Sequence, residues 1–266
     1  MGKSTSQKAK ARARGGDRAK ATVAKPEGTR HRKPGPKPHT LAIDIGGTGL
    51  KALVLDAAGE PIVERARVET PRPARPGAVL EALLEILALM PEYERVSVGF
   101  PGVVVRGVTR TAPNLHEEWA GFDLAGTLER HTKRPTRVLN DAGVQGYGVV
   151  EGTGTEMVLT LGTGLGCALF VDGRYVPNLE LAHHPFKKGR TYEEHVGARA
   201  LDDVGKKRWN RRVRQVLSQV QPIFNPDRIY LGGGNAKHLR GDLPKNVTVT
   251  ENLAGLLGGI ALWSRD

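Results

Sequence analysis

Leu41-Ala42-Ile43-Asp44-Ile45-Gly46-Gly47-Thr48-Gly49-Leu50-Lys51 is the stretch on which the reading of this 266-residue chain turns. The apolar run from Thr40 to Ile45 predicts a strand, a glycine-rich turn follows, and Leu50 to Leu55 resumes a strand. The tetrapeptide Gly-Thr-Gly-Leu of positions 47–50 returns at 162–165, again between apolar runs, Met157 to Leu161 and Gly166 to Val171. One tetrapeptide is a weak repeat signal, but its shared context points to two related halves.

Working outward from the first turn, Ala58-Gly59-Glu60-Pro61 predicts another turn and Ile62 to Val68 a third strand. Apolar residues at helical spacing predict a helix over Ala78 to Met90, and Val96 to Phe100 returns to strand character before Pro101-Gly102 ends it. Helix Leu124 to His131, strand Thr136 to Leu139 and helix Asp141 to Val149 complete a β-β-β-α-β-α-β-α order. In the second half, Arg174 to Val176 follows the Asp172-Gly173 turn. Leu201, Val204, Trp209, Val213, Val216, Leu217 and Val220 line one face of a long helix, Asp227 to Leu231 is a strand, and Leu253 to Trp263 is a closing helix. The expectation is an α/β fold of two lobes with mixed sheets, residues 39–140 and 141–266, with the closing helix 253–263 returning to the first lobe.

The formal net charge of +12 is concentrated at one end. Residues 1–38 hold twelve Lys or Arg against Asp17 and Glu27, leaving the remainder nearly neutral. Lacking a hydrophobic period, residues 1–38 are expected to be a disordered basic tail that touches polyanions weakly and without specificity. Gly2 to Ser6 fits a myristoylation pattern, which short sequences match by chance. No apolar run reaches the length of a membrane span and Met1 to Lys10 lacks the apolar centre of a secretory signal, so the expected location is cytoplasmic, with no membrane partner. Cys167, alone, has no intrachain disulfide partner and is expected to be a small buried residue.

Two loops carry anion-binding chemistry. In the first, glycines without Cβ let backbone N–H groups approach phosphate oxygens, so Gly46, Gly47, Thr48 and Lys51 are candidate phosphate ligands, and Asp44 could hold Mg²⁺ through water. In the second, Gly162, Thr163 and Gly164 form a similar cradle. Either loop alone could be no more than a hairpin turn. Two of them gripping one phosphate chain is a kinase arrangement, although neither is a Walker A loop, because no Gly-x-x-x-x-Gly-Lys-Ser/Thr occurs.

Asn140-Asp141 lies where a strand ends and a helix begins, which suits a helix N-cap and equally suits a catalytic base projecting into a cleft. Gly232-Gly233-Gly234 after an apolar strand could border a nucleotide or form a flexible turn. Pro177 to His184 and Tyr192 to His195 are polar clusters suited to sugar hydroxyls. Their His and Glu content also suggests metal, but the spacing matches no helical His-x-x-x-His site. Lys206, Lys207, Arg208, Arg211, Arg212 and Arg214 make a one-signed strip on the long helix, either a solvated face or a track for a polyanion.

With Asp44 to Thr48, Gly99-Phe100-Pro101-Gly102-Val103, Asn140-Asp141 and the run Leu159 to His183 assembled, the sequence resembles the ROK (repressor, open reading frame, kinase) family of sugar kinases over roughly residues 40 to 264, and within it the polyphosphate glucokinases. The resemblance implies a two-lobed actin-like ATPase (ribonuclease H-like) fold, a homodimer, Mg²⁺ as cofactor, and phosphoryl transfer from inorganic polyphosphate, or also ATP, to the 6-hydroxyl of glucose. It implies Asp141 as the base and Asn114, Asn140, Glu180, His183 and Glu193 around the glucose, with Glu194 a rival for Glu193. Where most members carry a zinc-binding Cys cluster, this chain has Pro185-Phe186-Lys187-Lys188-Gly189-Arg190, so no zinc is expected; polyphosphate glucokinases share that absence and a segment like Val176 to His183. The competing expectations are an ATP-dependent ROK hexokinase for another sugar and a non-catalytic sugar or polyanion sensor.

Overall fold

The structure is a computed structural model that describes residues 35–250 and 257–264. Ten strands form two five-stranded sheets. The first contains β1 (Thr40–Ile45), β2 (Gly49–Leu55), β3 (Ala66–Glu69), β4 (Arg95–Phe100) and β5 (Thr136–Asn140), in the order β3-β2-β1-β4-β5. The second contains β6 (Thr155–Leu161), β7 (Leu165–Val171), β8 (Arg174–Val176), β9 (Arg228–Gly232) and β10 (Val247–Val249), in the order β8-β7-β6-β9-β10. Each sheet opens with an antiparallel hairpin, adds a third antiparallel strand on one edge and two parallel strands on the other. The repeated Gly-Thr-Gly-Leu is thus the visible trace of a repeated topology.

Period-two alternation sets the faces. Leu41, Ile43 and Ile45 of β1 point into a core with α1 (Pro76–Leu87) and α2 (Leu124–Thr132), through Val79, Leu83, Ile86 and Leu128. Ala42 and Asp44 point the other way. In the second sheet Met157, Leu159 and Leu161 of β6 meet Trp209, Val213, Val216, Leu217 and Val220, while Val158 faces the opposite side. That opposite side is filled by α3 (Asp141–Tyr147), whose Ala142 packs with Val158, Ala168 and Phe170. On its other flank α3 passes β4 so closely that a Cβ on Gly99 would lie 3.5 Å from the Asp141 Cα. One short helix therefore sits between the sheets, with Asp141 at its first turn.

α4 (Tyr192–Val196) starts at a complete capping box, Thr191 with Glu194. The long amphipathic stretch Ala198–Phe224, here α5, is two helices joined at Gly205, whose φ of +72° breaks the helical path. Of the expected closing helix, residues 253–256 lie outside the described residues. Residues Leu257–Ile260 form a 3-10 turn and Ala261–Ser264 form α6. Trp263 donates from Nε1 to the Ser97 hydroxyl (2.8 Å), the Ser97 hydroxyl donates to the Gly259 carbonyl (2.6 Å), and the Arg137 guanidinium stands 4.5 Å over the Trp263 ring. The end of the chain thus covers the Ala42 face of the first sheet.

Several local readings shift. The third strand begins at Ala66 rather than Ile62. Short features without a periodic signal escape the sequence: β10, α4 and the hairpins Val104–Val105/Val108–Thr109 and Pro185–Lys187/Arg190–Thr191. The tail expected to reach residue 38 lies outside the described residues through 34, but residues 35–38 belong to the folded body. The Pro36 carbonyl accepts from Ala57 N–H (2.9 Å), and Lys37 pairs with Glu94 (2.7 Å).

Candidate active site

A cleft of about 1510 Å³ opens between the two sheets. Asp44, Gly46, Gly47, Thr48 and Lys51 line it from the first hairpin, Gly162, Thr163 and Gly164 from the second, and Asn140 and Asp141 from the β5–α3 junction. Asn114, Glu180, His183, Glu193, Gly233 and Gly234 complete the set of residues singled out from the sequence. Gly232 does not line the cleft; it ends β9, buried and hydrogen-bonded in register with Thr160. Its mainchain role in the ladder keeps it behind the loop that Gly233 turns.

The two hairpin loops share their glycines but differ in length, four residues (Gly46 to Gly49) against three (Gly162 to Gly164), and in chemistry. The first closes with Gly46 N–H donating to the Gly49 carbonyl (3.1 Å), the second with Gly162 N–H donating to the Gly164 carbonyl (3.0 Å). Asp44 stands opposite Lys51 across the first hairpin, and their ion pair spans 2.7 Å. At the matching register of the second hairpin Thr160 stands opposite Gly166, and the Thr160 hydroxyl accepts from Gly166 N–H (3.1 Å). A Cβ on Gly166 would come 2.2 Å from that hydroxyl, so a side chain there would displace it. The repeat therefore carries its carboxylate–ammonium pair in one half alone.

Asn140 is the N-cap of α3: its Oδ1 accepts from Ala142 N–H (3.0 Å), and its Nδ2 donates to the Gly102 carbonyl (3.2 Å). The N-cap reading and the cleft reading are thus both met, by different residues of the pair. Asp141 takes one hydrogen bond, from Ala142 N–H to Oδ1 (2.7 Å), and among the described residues nothing donates to its Oδ2. Burial raises the Asp141 carboxyl, and the negative charges of Asp44 and Glu180 add to the effect. The Ala142 bond and Lys51 oppose it, and the outcome is a pKa of about 7. A carboxylate poised there accepts a proton at neutral pH and releases it again.

Glu180 precedes and His183 ends one 3-10 turn, with 3.8 Å between the His183 Nε2 and the Glu180 carboxylate. Burial raises the Glu180 carboxyl, His183 partly offsets this, and Glu193 adds to it. Glu193 reaches the second loop, where its Oε2 accepts from Leu165 N–H (3.3 Å), and a Cβ on Gly164 would collide with that oxygen at 1.9 Å. Glu194, the rival, is exposed and bound to Thr191 N–H in the cap (2.8 Å). Cys167 lies buried behind Glu180, and burial followed by that charge pushes its thiol up to about 12, so it stays protonated.

Sequence reasoning passed over Arg65, Arg72, Gln145, Lys237 and Arg240, which also line the cleft. Lys237 and Arg240, directly after the triple glycine, were the most legible of these. Asn178, within the polar run Pro177 to His184, does not line the cleft and has a structural role instead. With φ at +63° it accepts from Val104 N–H (3.3 Å) and so ties the segment before Glu180 to the first half of the chain.

The ROK family model matches residues 40–177. A polyphosphate glucokinase of Mycobacterium tuberculosis (strain CDC 1551 / Oshkosh) is 30% identical over 237 residues, covering 83% of this chain and 89% of the relative. The crystal structure of an inorganic polyphosphate/ATP-glucomannokinase from Arthrobacter sp. strain KM superposes with a TM-score of 0.76 at 33% identity, over 85% of this chain and 100% of that one. An N-acetylmannosamine kinase of Escherichia coli (strain SE11) is 37% identical over 142 residues, 51% of this chain and 48% of the relative.

Proposed function

This chain belongs to the ROK family, and from that premise we propose that it transfers a phosphoryl group from inorganic polyphosphate to the 6-hydroxyl of glucose, with Asp141 as general base. The coarser statement, a sugar kinase with the two-sheet ROK fold, rests on the family match and the superposition. The observation that carries the finer one is Asp141 itself. It is a carboxyl with a pKa of about 7 whose Oδ2 has no donor among the described residues, in a cleft that also holds two glycine-rich anion cradles and a Glu/His/Asn shell.

Sugar hydroxyls meet paired carboxylate and imidazole groups at Glu180, His183 and Glu193, and Asn114 and Asn140 line the same space. The 6-hydroxyl oxygen attacks the terminal phosphorus, its proton passes to Asp141, and the bond to the penultimate phosphate breaks. Gly46 to Thr48 and Gly162 to Gly164 present backbone N–H groups to the donor's oxygens, and Lys51 adds an ammonium. The family chemistry implies Mg²⁺. Asp44 fits it, because only its Oδ2 is taken by Lys51 and hydrated Mg²⁺ is held by one or two carboxylates plus donor oxygens. Held there, the ion would supply charge neutralisation at the donor phosphates. Closure of the two halves on substrate excludes water as a competing acceptor.

The polyphosphate donor is favoured by the similarity to the polyphosphate glucokinase and glucomannokinase across most of the chain. ATP-dependent phosphorylation of another hexose is the second reading. It is favoured by Gly233 and Gly234 at the cleft and by the local similarity to an N-acetylmannosamine kinase. The test is a donor panel with glucose saturating, followed by an acceptor panel with the preferred donor. Higher turnover with polyphosphate than with ATP is expected. A preference for ATP sinks the donor assignment, and a faster rate on N-acetylmannosamine or mannose sinks the glucose assignment.

A further inference from the structure

The cleft carries charges of both signs, Lys51, Arg65 and Arg72 among them. Asp44, Asp141, Glu180 and Glu193 line it together with Lys237 and Arg240, which are exposed. Among the described residues neither cation lies within ion-pair distance of a carboxylate. Their segment is built in place by Asn210, a buried residue of α5. Its Nδ2 donates to the carbonyls of Lys206 (2.8 Å) and His238 (2.9 Å), and its Oδ1 accepts from Arg240 N–H (2.7 Å). The Arg240 Nη1 turns back to the Lys237 and Leu239 carbonyls (2.7 and 2.6 Å), which leaves the other guanidinium donors available.

The same clamp sets the start of the basic strip beside this segment, just outside the cleft lining. Lys206, Lys207 and Arg208 open the second helical stretch of α5, immediately after the break at Gly205, and all three are exposed. Cations in a first helical turn oppose the helix dipole, so helix stability does not account for them. The His238 ring sits among Lys206, Lys237 and Arg240, and its pKa is lowered, first by desolvation and then by those three charges. The strip is not uniform, however. Arg212 donates to the His195 carbonyl (3.3 Å) and Arg214 to the Asp242 carbonyl (3.2 Å) and the Arg240 carbonyl, so these two hold structure.

We propose that Lys206, Lys237 and Arg240 form a subsite for the distal phosphates of a linear polyanion, carrying a long chain out of the cleft while its reacting end lies between the glycine loops. The proposal rests on the polyphosphate reading above and deepens it by naming where the unreacted chain lies. It assigns discrimination between long and short donors to side chains outside the reacting centre, each contact acting through charge-assisted hydrogen bonds and counterion release.

The experiment measures KM for long-chain polyphosphate, tripolyphosphate and ATP, and KM for glucose, in the intact protein and in Lys237→Ala/Arg240→Ala, over a salt series. A parallel Lys206→Ala variant tests the continuation onto α5. The expected result is about a tenfold or larger rise in KM for the long chain, corresponding to roughly 1.4 kcal/mol. The KM for glucose and for tripolyphosphate should hold. The salt slope for the long chain should become shallower by about 1.4, the value for two lost contacts on a single-stranded polyanion. An unchanged long-chain KM in a protein that does use polyphosphate overturns the subsite and leaves the donor assignment standing. An equal rise for tripolyphosphate and ATP places the cations on the reacting phosphates and also overturns it. A protein that neither turns over nor binds polyphosphate removes the donor assignment, and the subsite with it.

Discussion

Replacing Asp141 by Asn should damage activity and strengthen the fold, in amounts that depend on pH. The amide keeps the oxygen that accepts from Ala142 N–H (2.7 Å) and loses the proton-accepting carboxylate, so turnover should fall at least ~10²-fold, the low end for a general base. The stability change follows from the carboxyl pKa of about 7, against 3.8 for an unperturbed Asp. A folded-state pKa raised above the unfolded value means that ionisation opposes folding. The wild-type protein should therefore lose stability as pH rises from about 4 to about 7 and level off above that. Three pKa units correspond to roughly 4 kcal/mol at most, at about 1.4 kcal/mol per unit. The Asn variant has no such cost, so its advantage should be absent near pH 4 and full at pH 8. Paired denaturant titrations across that range, with kcat at each pH, read both effects, and wild-type activity should rise with pH through an inflection near 7. Near-normal turnover in the variant removes Asp141 as base. A variant no more stable than wild type at pH 8 refutes the electrostatic account of its environment.

Deleting residues 1–34 should leave thermal stability and glucose affinity unchanged while weakening nonspecific polyanion binding. Removing 35–38 as well should cost stability, because the Pro36 carbonyl and Lys37 bond the body; equal melting temperatures for both truncations would contradict this. Glu193→Gln should raise the KM for glucose, whereas Glu194→Ala should cost only roughly 0.3–1.5 kcal/mol of stability as a lost cap and leave that KM alone. The reverse pattern would reassign the sugar contact. Gly164→Ala drives a Cβ to within 1.9 Å of the Glu193 Oε2, so the flexible carboxylate must move; a KM for glucose raised about tenfold at nearly unchanged stability is expected, and an unaltered KM would show that Glu193 has room to spare.

Much of the fold was written locally. An apolar run, glycines and a second apolar run specify a hairpin whatever surrounds it, and the same signal at 40–55 and 157–171 reported a duplicated sheet with order and strand directions conserved. Short features without a period, such as Val247–Val249 and Tyr192–Val196, were invisible because they form only against neighbours already in place. The choice between Glu193 and Glu194 left one local trace, the Thr191-x-x-Glu194 capping pattern, but the reach of Glu193 to the second loop is set by tertiary packing.

The sequence by itself determined which residues could do chemistry: the two glycine cradles, the Asn140-Asp141 junction, and the polar run from Glu180 to His183. Tertiary structure alone decided what those residues are electrostatically. Asp44 and Asp141 are 97 positions apart in the chain, yet α3, wedged between the sheets, brings their charges close enough to help hold a carboxyl at about 7. It also decided that Lys237 and Arg240, unremarked in sequence, border the same cleft and are tied to the second helical stretch of α5 through Asn210. Hairpins and caps depend on neighbours a few residues away and so leave a local pattern. Desolvation and charge coupling depend on whatever the fold places across a gap, and no local pattern encodes that.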